Sequence, residues 1–145
     1  MLSQKVLDLL KNEPKLLPEN QAKYKEILDR NGIKKDSDFY VFMSEYGGDM
    51  DGSLGYMINV PEDLSNTDNS VTYSLRQNEG IPDEYISLLD FGYEDYLLYN
   101  LVDDSVVFLP DGNIECLNNK TLSKKWDNFN SFLGSSSNLV VLLLL

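Results

Sequence analysis

The chain reads as an α+β protein on three observations. Apolar residues recur at helical spacing through the first 46 residues. From residue 54 the pattern changes to short β-rich runs separated by turn residues. A helical pattern then returns at residues 122–133. The expected architecture is one curved, mainly antiparallel sheet packed against N-terminal helices and a C-terminal helix.

Leu2, Val6, Leu9 and Leu10 lie on one helical face, and Pro14 ends that run. Pro18 suits the first turn of a second helix that presents Tyr24, Ile27 and Leu28, with Asn31-Gly32 as its stop. Asp36 or Ser37 caps a third, whose Phe39, Phe42, Met43 and Tyr46 form an aromatic stripe ended by Gly47-Gly48. Such a stripe is read as core. A first strand is expected over residues 54–60, closed by Pro61. Residues 61–80 are polar, with a short helix around 71–76.

Strands are then expected over 85–91, 96–102, 105–109 and 114–117. Their links are Gly92-Tyr93-Glu94-Asp95, Asp103-Asp104 and Pro110-Asp111-Gly112-Asn113. Links this short make antiparallel hairpins rather than β-α-β crossovers. The closing helix buries Leu122, Trp126, Phe129 and Leu133 and stops at Gly134. Residues 1–133 thus read as a single domain, a length that suits one core. Residues 134–145 read as a Ser-rich linker and a short apolar tail. Seven apolar residues at 139–145 fall short of the roughly 20 a spanning helix needs. That tail fits an added strand, a segment paired with another chain, or a product of a frame change.

The net charge of −12 is unevenly spread. Residues 1–35 carry eight cations and five acids, and residues 120–145 carry three cations and one acid. Between them, residues 36–119 carry eighteen acids and one cation, Arg76. That stretch presents a negative field, which repels phosphate and attracts basic partners. Nucleic acid is therefore not expected as a direct ligand. An aromatic share of 11% sets the chain apart from disordered acidic segments.

The chemistry missing from the sequence narrows the function. There is no histidine, which removes the commonest general base and zinc ligand. Cys116 is the only cysteine, so no intrachain disulfide and no Cys-x-x-Cys site can form. Neither phosphate-cradling glycine motif occurs. The segment Asp49-Met-Asp-Gly-Ser53 opens like a calcium loop, but Leu54 stands where the sixth-position Gly belongs and Val60 where the twelfth-position Glu belongs. The pairs Asp83-Glu84, Glu94-Asp95 and Asp103-Asp104 sit at strand ends and turns, where carboxylates are solvated rather than catalytic. Asn119-Lys120-Thr121 spells a glycosylation sequon, read as chance because the N-terminus lacks a signal-peptide pattern. The expectation is a non-enzymatic cytoplasmic protein with no cofactor, no metal and no membrane span.

Three stretches carry a family resemblance. They are Asp38-Phe-Tyr-Val-Phe-Met-Ser-Glu-Tyr-Gly-Gly48, then Gly80-Ile-Pro-Asp-Glu-Tyr-Ile-Ser-Leu-Leu-Asp-Phe-Gly92 with Asp95-Tyr-Leu-Leu-Tyr-Asn100 and Ser105-Val-Val-Phe-Leu109, and finally Trp126-Asp-Asn-Phe-Asn-Ser-Phe-Leu133. Their order resembles the SUKH superfamily, which includes the fungal Smi/Knr cell-wall regulators and many bacterial toxin-immunity proteins. The similarity spans residues 20–133 and consists of core and turn positions, not catalytic motifs. Two features depart from it: the Gly-rich turn is thinner here, Phe91-Gly-Tyr-Glu-Asp95, and the apolar tail is no part of the pattern. The resemblance implies an α+β fold and an activity limited to binding, most often of a cognate toxin encoded nearby.

The expected function is that of an immunity protein that binds and neutralises a secreted toxin domain of a basic, nuclease type. The alternative is a regulatory scaffold like the fungal relatives. The candidate partner contacts are Asp49, Asp51, Tyr93, Glu94, Asp95, Asp103 and Asp104.

Overall fold

Side-chain caps decide where most of the helices begin. The computed structural model describes residues 1–48, 50–52, 55–119, 121–122 and 124–135, with backbone alone for 50–52. Ser3 accepts a hydrogen bond from Val6 N to open α1 (Gln4–Leu10). Pro18 opens α2 (Pro18–Arg30) with no side-chain cap, because its missing N–H is one the first turn leaves unpaired anyway. Ser37, not Asp36, caps α3 (Asp38–Tyr46) by accepting from Tyr40 N at 3.1 Å. These three helices lie where the apolar spacing puts them.

The next segment differs from expectation. In place of one strand over 54–60 there is a hairpin, β1 (Met50–Gly52) with β2 (Gly55–Met57). Pro61 does not close a strand; it lies in the first turn of α4 (Val60–Ser65), which Asn59 caps by accepting from Glu62 N. The sequence 59–62 pairs a good cap with a proline tolerated in a first turn, and that combination favours helix. A fifth helix, α5 (Val71–Asn78), follows under the cap of Ser70 and includes the expected 71–76 turn.

The main sheet, among the described residues, has four antiparallel strands in the order β3 (Tyr85–Ser87), β4 (Tyr96–Asn100), β5 (Val106–Leu109) and β6 (Lys124–Trp126). It is an open sheet, and the α+β class is as the sequence indicates. A bridge between Met57 and Leu89 joins the small hairpin to its β3 end. Along β4, Leu97 and Tyr99 face α1–α4 and α7 (Phe129–Leu133), whereas Leu98 faces the opposite side with Val107 and Leu109. The sheet is therefore buried on both faces.

The second face explains why residues 114–117 are not a strand. Residues 115–117 belong to α6 (Glu115–Asn119), and Ile114 just before it covers Leu98, Val107 and Leu109 together with Cys116 and Leu117. After β5 the chain takes two consecutive left-handed residues, Asp111 (φ 55) and Gly112 (φ 62), which turn it away from a hairpin and over the sheet. The single closing helix is also divided. Leu122 packs in the α6-side cluster while Trp126, Phe129 and Leu133 pack on the other face, a split that one helical stripe cannot make. Residues 124–126 form the edge strand β6, and Asn128 starts α7 by accepting from Ser131 N at 2.7 Å. Lysines at 124 and 125 suit an edge, where charge discourages pairing with another chain. The expected tail at 139–145 lies outside the described residues.

Tyr99 ties the layers together. Its fully buried ring stacks on Phe39 of α3 at 3.8 Å between centroids and meets Phe129 edge-on at 5.6 Å. Its hydroxyl donates to Asp104 Oδ1 at 2.7 Å, and Asp104 Oδ2 accepts from Phe129 N at 3.3 Å. Burial, then the hydrogen bond and charge of Asp104, hold the Tyr99 phenol well above its ordinary value. The folded protein thus keeps this proton at a pH where the unfolded chain releases it. The Tyr99 contribution to stability is fully present below about pH 10 and is lost as pH rises beyond it. Urea unfolding between pH 8 and pH 11 should show that loss, with a shallower slope in Tyr99→Phe; equal slopes would contradict the assignment.

Candidate functional site

One groove brings together exposed aromatics and carboxylates, and α5 forms its first wall. Asp63 of α4 accepts from Ser70 Oγ at 2.8 Å, Val71 N at 2.8 Å and Thr72 N at 3.2 Å, which fixes where α5 starts. Thr72 Oγ1 then accepts from Ser87 N at 3.0 Å, and Arg76 donates through Nε and Nη2 to Tyr85 O. These bonds lay α5 along the edge of β3. Val71, Ser74, Leu75, Asn78 and Glu79 recur at helical spacing, so one face of the helix lines the groove.

The opposite wall is the link from β3 to β4. Leu89 supplies floor, and Asp90, Phe91, Tyr93, Asp95 and Tyr96 supply side and rim, around a cavity of about 220 Å³. Phe91 and Tyr93 are 53% and 42% exposed, high values for large aromatic rings. The small hairpin positions Tyr93, whose hydroxyl oxygen accepts from Tyr56 N at 2.8 Å. A β-carbon on Gly55 would lie 3.0 Å from Tyr93 Cε1, so the ring rests directly on that glycine. Tyr96 is seated in the same way, 2.9 Å from where a Gly112 side chain would begin.

The groove is acidic, and among the described residues no cation pairs with its carboxylates. Asp90 accepts from Phe91 N and Asp95 from Asp111 N, each at 2.8 Å, but the Glu79 carboxylate has no hydrogen-bond partner among the described residues. Burial and, second, the Glu79 charge raise the Tyr96 phenol above its ordinary value. Ion pairs among the described residues are confined to the amino group of Met1 with Asp38, Lys15 with Glu45, and Lys35 with Asp29. None reaches this groove. A broader open hollow of about 720 Å³ adjoins Arg76, but that guanidinium is held by Tyr85 O and lies over the Tyr73 ring. Among the described residues no three Asp, Glu or Cys side chains converge as a metal site.

The expected contact residues divide among three places. Tyr93 and Asp95 line the groove, and Glu94 is exposed between them. Asp103 and Asp104 sit at the far end of β4, in the turn before β5. Asp103 Oδ1 accepts from Ser105 N and Oγ there, and Asp104 holds Tyr99 and Phe129, so both carboxylates organise the turn. Asp49 lies outside the described residues, and for Asp51 only the backbone is described, paired with Tyr56. Glu79, Asp90 and Phe91 join the groove without having been singled out from sequence, whereas Tyr96, like Tyr93, stands out there as a turn-flanking tyrosine. For Glu79 a signal existed, since it follows Val71 and Leu75 at intervals of four on one helical face.

No protein-family model, curated protein or solved structure matches the chain. No helix among the described residues is long and apolar enough to cross a membrane.

Seating Tyr93 on Gly55 has a direct consequence. Gly55→Ala places a side chain at φ 137 and against the ring, and should destabilise by about 1–3 kcal/mol while shifting the Tyr93 ring resonances. Gly80→Ala, at φ 73 with nothing within 4 Å, should leave those resonances in place. Unmoved Tyr93 signals in Gly55→Ala would contradict the contact.

Proposed function

We propose that this chain is a non-enzymatic immunity protein, of the kind its resemblance to SUKH proteins implies, that binds and neutralises a basic toxin domain of nuclease type. The observation that supports this most is the groove between α5 and the β3–β4 link. It combines exposed Phe91 and Tyr93 with Glu79, Asp90 and Asp95, exposed Glu94 adjoins them in the chain, and none of these carboxylates pairs with a cation among the described residues. Aromatic anchors give affinity and unpaired charge gives approach, which is the division of labour in steered protein association. A nuclease must attract polyanions, so its cleft is basic and complementary to such a surface. The absence of histidine and of any known phosphate cradle in the sequence accords with binding rather than turnover.

The test is co-expression with the product of the adjacent gene. The chain should co-purify with it and restore growth to cells that carry the toxin. Replacing Glu79, Asp90 and Glu94 together by Gln, Asn and Gln should slow association about tenfold at low salt and flatten its salt dependence. Failure to bind or to protect would overturn the proposal, and unchanged association rates would remove the groove from it. Capture of several cellular proteins without protection would favour the regulatory-scaffold reading.

A further inference from the structure

We infer that the groove between α5 and the β3–β4 link receives a single arginine side chain of the partner. This deepens the proposed function and rests on its reading that a basic protein docks here. Size speaks first: about 220 Å³ falls below the roughly 300–1,000 Å³ of small-molecule sites, so the space suits one side chain rather than a metabolite.

Chemistry selects which side chain. Val71, Leu75 and Leu89 make a floor that an aliphatic stem can cover, so the occupant carries methylenes below its head group. The Phe91 and Tyr93 side chains line the groove and keep much of their surface in water, and aromatic rings of this kind attract a cation. Glu79 closes the α5 end with a carboxylate that nothing in the described chain engages. A planar guanidinium stacks on aromatic rings and bonds a carboxylate through two parallel N–H groups, whereas an ammonium does neither as well. An apolar residue would fill the floor and leave the rim charges unmatched, and an anion would be repelled.

Titrating the full chain with capped Gly-Arg-Gly, Gly-Lys-Gly and Gly-Leu-Gly peptides, followed by amide NMR, tests the inference. The arginine peptide should shift amides at 75–79 and 91–96, and bind at least about tenfold more tightly than the lysine or leucine peptide. Glu79→Gln, on an exposed residue and checked as folded by its own spectrum, should weaken that binding about fivefold or more. Equal binding of arginine and lysine, preference for leucine, shifts elsewhere, or none by about 10 mM peptide would each overturn it. Protection from the toxin without an arginine response would defeat this inference and leave the immunity function. An arginine response without protection would support the occupant and defeat the immunity reading.

Discussion

Much of the structure depends on how Tyr99 is held. Its ring needs a flat apolar partner and its hydroxyl needs an acceptor, because a buried hydroxyl without one costs about 1–3 kcal/mol. Phe39 supplies the first from α3, and Asp104 supplies the second from the turn after β4. Asp104 reaches its place only by adopting a left-handed backbone, φ 67, a conformation Asp tolerates better than most residues. From there its second oxygen takes the Phe129 amide and seats α7. One aromatic ring and one carboxylate thereby join the N-terminal helices, the central strand and the closing helix.

That arrangement divides the acids of residues 36–119 by role. Asp63 fixes the start of α5, and Asp103 and Asp104 build the β4–β5 turn; these carboxylates are occupied by the fold. Glu79, Glu94 and Asp90 contribute little to it. Glu79 and Asp90 line the groove with exposed aromatic rings at the opposite end of β4, Glu94 lies exposed beside them in the chain, and none pairs with a cation among the described residues. Like charges gathered near exposed rings repel one another in the folded chain alone, and the proposed basic partner would relieve that repulsion.

Legibility followed the range of the interactions. α1, α2 and α3 could be read because apolar spacing, Ser37, Pro18 and the glycine stops are all local signals. β4 and β5 could be read because their side chains alternate between two cores and a charged turn separates them. α6 and β6 could not, since residues 114–126 take their form from covering Leu98 and Val107 and from pairing with β5, and both are tertiary demands. In the groove, Tyr93 and Asp95 were visible as an aromatic and an acid in a turn. Phe91 was hidden because residues 85–91 read as one strand, whereas β3 ends at Ser87 and releases the link that forms the wall. Glu79 continues the spacing of Val71 and Leu75 but lies beyond the helix expected over 71–76, and it joins the groove only once Thr72 and Ser87 dock α5 on the sheet.

In the proposed complex the acid-rimmed groove, not the basic helical ends, meets the partner. Amide hydrogen exchange of the chain alone and in complex with the adjacent gene product measures this directly. Exchange should slow at residues 75–79 and 91–96, with α1, α2 and β6 unchanged. Slowing confined to α1, α2 or β6 would contradict it.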